Sequence, residues 1–290
     1  MNAEVIIIEF LQQAEFLKWP MFILTFLGDE LFFVTAVSVL YWCYDKRFAY
    51  RLANVYFLSV GCTELLKNTI SRPRPYVSHE SVRGAFGKTG GFSFPSGHSQ
   101  SIANLSTQSF LESRRKKAHI QKVLYIGISA TLVVMLSRMF LGQHYLTDVL
   151  AGAALGVGLA VLFTYIYRFL GEKEEWLFVV IAPLCFIVYM VCEATGIAPT
   201  LTDVIKTLGA YAAFTAGYFL EKRYVCYQVK SDKKYKQILK IVFGLGVTLV
   251  LKELLKLGLP DVAFFHFLRY FLIAFWASLI APLLFKKLKL

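Results

Sequence analysis

The apolar residues of this chain fall into nine long runs separated by polar connections, and that grouping constrains the fold more than any other feature. The runs lie at about residues 20–43, 48–70, 96–112, 120–141, 147–170, 176–195, 201–221, 238–257 and 263–285. A helix that crosses the hydrocarbon of a bilayer needs about 20 mostly apolar residues, and it satisfies its backbone polar groups within the segment. Composition agrees with this pattern. The chain is 57% hydrophobic and 17% charged, with a mean hydropathy of +0.56, against roughly 45–50% and 25% in soluble domains. An ordinary soluble enzyme, a disordered chain and a secreted disulfide scaffold are excluded. The expected fold is an all-α, polytopic transmembrane helix bundle.

The third run is the least apolar. It carries Ser99, Gln100, Ser101, Asn104, Ser106, Thr107, Gln108 and Ser109, so it is expected to face other helices rather than lipid. Residues 1–18 mix Glu and Gln into an apolar stretch with no basic segment before it. They read as an amphipathic surface helix, or alternatively as a short tenth span, rather than as a cleavable signal. The five cysteines are Cys43, Cys62, Cys185, Cys192 and Cys226. They are odd in number, scattered, and lack metal-ligand spacing, which suits small core residues.

The net charge of +12 does not indicate nucleic acid, because the basic residues sit in clusters between apolar runs rather than on one soluble face. With nine alternating spans, 20 of the 31 Lys and Arg residues lie on the side holding the connections after spans 1, 3, 5 and 7 and the end of the ninth. Cytoplasmic loops carry the excess of Lys and Arg, so that side is expected to be cytoplasmic. The connections after spans 2, 4, 6 and 8 then face outward or into a lumen.

The chemistry-bearing residues gather on that outward side. Residues 71–95 form a long Gly- and Pro-rich connection, of a kind more often functional than accidental. Lys67 precedes it, and Arg74-Pro75 lies within it. Pro95-Ser96-Gly97-His98 opens the third span. Ser137-Arg138 ends the fourth, followed by His144 and, four residues later, Asp148. Lys67, Arg74 and Arg138 place three cations at one membrane face, and an arginine fork fits phosphate oxygens. Ser96-Gly97 at a helix start offers free backbone amides to an anion, with Gly97 permitting close approach. His144 and Asp148 share a helix face if the helix begins near His144. A carboxylate on one imidazole nitrogen fixes the tautomer and raises the nucleophilicity of the other. Taken singly, these residues suit snorkelling anchors, helix caps and structural pairs. Taken together, they suit phosphoryl transfer.

Lys67-x6-Arg74-Pro75, Pro95-Ser96-Gly97-His98 and Ser137-Arg138-x5-His144-x3-Asp148 resemble the three signature motifs of the type 2 phosphatidic acid phosphatases. That superfamily also includes vanadium haloperoxidases, glucose-6-phosphatase and sphingosine-phosphate phosphatases. All three motifs are complete and in order. The resemblance implies a phosphatase core over residues 20–170, preceded by an amphipathic segment over 1–19. Residues 171–290 are extra C-terminal spans on which the motifs are silent.

By the same resemblance the catalytic residues are His144, His98 and Asp148. His144 is the nucleophile and forms a phosphohistidine, Asp148 orients it, and His98 protonates the leaving alkoxide. Lys67, Arg74, Ser96, Gly97 and Arg138 bind the phosphate. No metal and no cofactor are implied. The partners implied are a membrane lipid phosphate and the bilayer, with no nucleic acid and no particular oligomeric state. Candidate substrates are phosphatidic acid, phosphatidylglycerol phosphate, a polyprenyl diphosphate and a sphingoid phosphate. Arg83, Lys88 and His79 in the long loop are candidates for contact with a second phosphate. The polar residues Glu193, Asp203, Lys206, Glu253, Lys256, Asp261, His266 and Arg269 either line a headgroup path or mark helix ends. Two other readings stand beside the lipid phosphatase: a phosphatase of a soluble ester, similar to glucose-6-phosphatase, and a non-enzymatic transporter or scaffold that keeps the fold.

The expected location is the plasma (inner) membrane, with the active site on the non-cytoplasmic face. Single cysteines at Ser78 and Lys233, placed in a background without the native cysteines, test this in intact cells. Position 78 should react with an impermeant thiol reagent and position 233 should be protected. The reverse pattern would put the chemistry on the cytoplasmic face.

Overall fold

A computed structural model describes residues 3–84, 90–197, 201–231 and 233–290, and these are helical, with no strand among them. The helices are α1 (Ala3–Gln12), α2 (Lys18–Thr25), α3 (Glu30–Cys43), α4 (Lys46–Ile70), α5 (Pro75–Ser78), α6 (Gly97–Lys116), α7 (Ile120–Phe140), α8 (Leu146–Leu170), α9 (Leu177–Ala194), α10 (Thr202–Leu220), α11 (Lys234–Gly258), α12 (Ala263–Phe275) and α13 (Ala281–Lys287). Helix occupies each of the nine apolar runs. Among the described residues, three helices are long and apolar enough to cross a membrane by themselves: Ile120–Phe140, Leu146–Trp176 and Ala263–Lys287. A fourth is added if Glu15–Gly28 and Glu30–Cys43, which meet at a 49° bend, count as one span. The apolar stretch of α9, Val179–Ala194, is shorter than this length, while α6 is too polar. Its Ser99, Gln100, Ser101, Asn104 and Gln108 are buried, as expected for a span facing protein. Asn104 donates to Ser59 Oγ (3.3 Å), and Gln108 to Asn104 Oδ1 (2.5 Å).

The chain forms two compact units: Met1–Phe33 with Leu58–Ile166, and Val34–Phe57 with Tyr167–Leu290. In the first, α6 packs along α7, and α1 and α2 also pack against α7. The amphipathic segment is a docked helix. Val5 and Ile8 of α1 enter a core with Val82, Met135, Met139, Tyr145 and Val149, while Ile6, Ile7 and Phe10 remain exposed. Burying a Val or Ile contributes about 1.5–3 kcal/mol. The ion pair Arg83–Glu15 is solvent-exposed, and such a pair adds little. Apolar docking therefore holds α1. Gln12 reinforces it by donating to the Arg83 and Phe140 carbonyls at 2.7 and 2.9 Å.

Close contact between α6 and α8 depends on two glycines. A Cβ on Gly152 would overlap the backbone of Ser96, and one on Gly156 the Gln100 carbonyl. This brings the start of α6 against the first turns of α8.

The second unit is organised around α10, which packs on α9 and α12. Tyr50 stacks on Tyr218 with centroids 3.9 Å apart. Trp42 Nε1 donates to the Ala277 carbonyl at 2.8 Å. Buried Glu174 pairs with Arg47 and Arg51, and buried Glu221 with Lys46 at 2.8 Å. A buried acid is stable only when paired in this way. At the opposite helix ends, Arg269 donates to the Leu255 and Leu259 carbonyls at 3.1 and 3.3 Å. His266 lies 3.1 Å from Asp261, and Lys206 lies 2.7 Å from Asp203. These polar residues of the extension close helix ends.

The packing of α8 sets a stability test. Gly158 has open space around its Cα, so Gly158→Ala should stabilise by up to about 1 kcal/mol through helix propensity. Gly152→Ala gains the same propensity but drives a methyl into backbone, a cost of typically 1–3 kcal/mol. Thermal unfolding in detergent should show a raised midpoint for the first variant and a lowered one for the second. Equal midpoints would contradict the close approach.

Candidate active site

The first unit brings the three sequence clusters together. Lys67 ends α4, Arg74 precedes α5, His98 lies in the first turn of α6, Arg138 in the last turn of α7, and His144 in the bend before α8. Ser96 is the N-cap of α6, its side chain accepting from Ser99 N–H. Its own N–H donates to the Asp148 carbonyl at 2.9 Å. The amides of Gly97 and His98 follow in the first turn, where helix geometry provides no intrahelical acceptor. The point at which a Cβ on Gly97 would stand is 3.8 Å from Lys67 Nζ. The ammonium therefore lies beside the helix start.

His144 is 2% exposed. Its Nδ1 lies 2.8 Å from the Ser93 carbonyl, and its Nε2 lies 3.3 Å from Arg74 Nη1. A carbonyl only accepts and a guanidinium only donates, so both contacts require the tautomer with the proton on Nδ1. The Nε2 lone pair then faces the cationic cluster. Burial, followed by the nearby charges of Arg138, Arg74 and Lys67, holds the His144 pKa well below the usual imidazole range. The ring stays neutral, which is the form a nucleophile requires.

Arg74 is buried and its fork is fixed. Nε donates to the Gly91 carbonyl (3.1 Å), Nη2 to Gly90 (2.9 Å) and Nη1 to Gln143 (3.2 Å). Arg138 is buried as well. Its Nη1 donates to Thr25 Oγ1 at 3.1 Å, while its Nε has no hydrogen-bond partner among the described residues. A buried guanidinium nitrogen without an acceptor is costly, and an anionic ligand would supply the acceptor. Lys67 is paired with Glu64 at 2.7 Å.

The carboxylate assigned to the imidazole by spacing is fully buried but does not bond it directly. Asp148 Oδ2 is 3.7 Å from His144 Nδ1, beyond hydrogen-bond distance. The reason is local. The α8 helix begins at Leu146, so His144 precedes it and its ring turns to the Ser93 carbonyl. Asp148 Oδ2 accepts instead from the Ser93 hydroxyl and from Tyr145 N–H (2.8 Å). Its Oδ1 accepts from Arg72 Nη1 at 2.7 Å. Ser93 thus links the carboxylate to the imidazole.

Of the second-phosphate candidates, Arg83 turns away to Glu15 and the Gln12 carbonyl, both at 2.5 Å. His79 packs edge-on to Tyr145. Lys88 lies outside the described residues. Sequence reasoning missed Asp29, Ser93 and Arg72. Asp29 stands at the bend of the first span with Oδ2 3.9 Å from His98 Nε2. Its only sequence signal is a Gly28-Asp29 pair inside an apolar run. Arg72 was detectable as the first arginine of Arg72-Pro73-Arg74-Pro75.

Two histidines, three cations and a helix start gathered in one helical unit form a group whose charge suits a phosphate oxyanion. Comparison with known proteins agrees. Residues 48–172 match the PAP2 superfamily, and residues 205–290 match the family described as PAP2 superfamily phosphatase, transmembrane extension. The chain therefore carries a PAP2 superfamily domain followed by a PAP2 transmembrane extension. It is 27% identical over 228 residues to a probable sphingosine-1-phosphate phosphatase from Dictyostelium discoideum, covering 73% of this chain and 56% of that protein. It is 32% identical over 124 residues to lipid A 1-phosphatase from Rhizobium etli, covering 41% and 50%. It is 36% identical over 106 residues to phosphatidylglycerophosphatase B from Bacillus subtilis, covering 32% and 45%. The chain spans about half the length of the curated relatives it matches.

Proposed function

We propose that this protein is an integral membrane lipid phosphate phosphatase working through a phosphohistidine on His144. The observation that carries the reading is the environment of that imidazole. Nδ1–H is fixed on the Ser93 carbonyl, and Nε2 is directed toward a buried guanidinium in a cluster of three cations. Phosphate would lie against Arg74, Arg138, Lys67 and the Ser96-Gly97 helix start. His144 Nε2 attacks phosphorus, the new N–P bond forms, and the P–O bond to the lipid breaks. His98 gives its proton to the departing alkoxide. Water then attacks the phosphohistidine, His98 takes the proton back, and inorganic phosphate leaves. Asp148 acts on His144 through Ser93. Positioning and charge supply most of the acceleration in such a reaction.

The relatives are named for a sphingosine phosphate, for lipid A and for a phosphatidylglycerophosphate. What these share is a phosphate carried by a molecule with hydrocarbon tails, which supports a lipid over a soluble sugar phosphate. The engagement of Arg83 and His79 elsewhere favours a monoester over a diphosphate. The chemistry is assigned to residues 20–170, and residues 171–290 to lipid preference, assembly or stability. The excess of basic residues on the opposite side supports a non-cytoplasmic active site, and the membrane assigned is the plasma membrane.

Phosphate release by the purified protein from a panel of lipid mono- and diphosphates, set against p-nitrophenyl phosphate, tests both the reading and the roles. His144→Ala should abolish release from every substrate. A general acid matters for an alkoxide and little for a nitrophenolate. His98→Ala should therefore lose about 10²–10⁴-fold on the lipid and far less on p-nitrophenyl phosphate. Leaving-group dependence in the His144 variant would invert the assignment, and preference for soluble esters would replace the lipid reading.

A further inference from the structure

Helix α1 lies outside every motif, yet one of its carboxylates reaches the centre through a single arginine. Arg72 Nη1 donates to Asp148 Oδ1 and its Nη2 to Glu4 Oε2, each at 2.7 Å. One planar guanidinium thus spans two carboxylates, a geometry that a lysine cannot reproduce. The guanidinium is fixed further. Nη1 also donates to Thr147 Oγ1 (2.7 Å), and the group lies 3.9 Å from the centroid of the Tyr145 ring. The second oxygen of Glu4 accepts from Thr147 N–H and Thr147 Oγ1, both at 2.8 Å. It therefore caps the first turn of α8, the turn that carries Asp148. Glu4 is held from behind by the burial of Val5 and Ile8 against Met139, Tyr145 and Val149.

We propose that Glu4 is a positioning residue for the centre, setting the place and charge of Asp148 through Arg72 and thereby the imidazole of His144. This rests on the reading of His144 and Asp148 given above. The physical argument is charge sharing. With Glu4 ionised, Arg72 divides its charge between two acids, and Asp148 keeps negative charge for Ser93 and the imidazole behind it. Without the Glu4 charge, Arg72 is left to Asp148 alone. It then neutralises that carboxylate more completely and loses one of the three hydrogen bonds that fix its plane.

Glu4→Gln separates this role from a structural one. The amide oxygen still caps Thr147, whereas the negative charge facing Arg72 is gone and an amide NH2 stands in its place. Partners one step behind catalytic groups are typically worth 10–100-fold where measured around metal centres. The expected result in the full-length protein is a fall of about 10-fold in kcat, with KM and the unfolding midpoint close to wild type. Glu4→Asp, which keeps the charge, should recover part of the loss. If Glu4→Gln does not fold, Arg72→Lys carries the test, since a lysine lacks the rigid planar fork that holds both acids in this geometry, and its kcat should fall similarly. Wild-type kcat in the variant that folds would overturn the proposal. So would a loss in which kcat only follows a lowered unfolding midpoint. His144→Ala, assayed alongside, keeps the two readings apart. If it is inactive while Glu4→Gln is normal, only the role of Glu4 fails; if it is active, the reading of the centre itself fails.

Discussion

The structure of the first unit depends on burying positive charge around a neutral imidazole. Arg74 and Arg138 are nearly inaccessible to water, and Lys67 stands beside the start of α6. Desolvating cations without partners is costly, so the surrounding fold supplies acceptors with care. Arg74 is spent on three carbonyls and on His144 Nε2, Arg138 on Thr25, and Lys67 on Glu64. The set remains short of acceptors, with Arg138 Nε the plainest case. A dianionic phosphate provides the missing charge and the missing lone pairs together. Burial, and after it these same cations, hold the His144 pKa well below the usual imidazole range, so under the proposed function one arrangement of charge would both receive the substrate phosphate and preserve the nucleophile.

Such a cluster needs rigid support, which comes from helix ends rather than from the loop. Gly152 lets α8 approach the backbone of Ser96, and the Ser96 N–H bonds the Asp148 carbonyl. The start of α6 and the start of α8 are therefore one construction, with the amides of the first and the carboxylate of the second fixed by the same contact. The bend at Asp29 brings Gly28 against His98 and a carboxylate within 3.9 Å of its ring. The buried polar face of α6 extends this support down the bundle through Asn104, Gln108 and Ser59.

Much of this was readable from the sequence, because hydropathy period and motif spacing are local properties. Helix lies at all nine apolar runs, and Lys67, Arg74, His98, Arg138 and His144 meet as their motifs imply. What spacing could not convey depends on where chain segments cross. The i, i+4 rule linked His144 to Asp148 on the premise of a continuous helix, but α8 starts two residues late and Ser93 comes between them. Asp29 contributes only because the first span bends. Glu4 and Arg72 meet across 68 positions of sequence, and no local pattern marks a contact of that kind. The count of spans was also a matter of context. Polar helices such as α6 are buried by their neighbours, so fewer helices than runs pass a test of apolar length.

The central claim is that phosphorus passes through His144 Nε2. Rapid chemical quench of the purified protein with a ³²P-labelled lipid phosphate tests it most directly. A labelled protein should accumulate within a turnover, stable in alkali and lost in acid as expected of a phosphoramidate, with the label on the peptide containing residue 144. The His144→Ala variant should carry no label. Label on another residue, or turnover by wild type with no labelled protein at any quench time, would contradict the account.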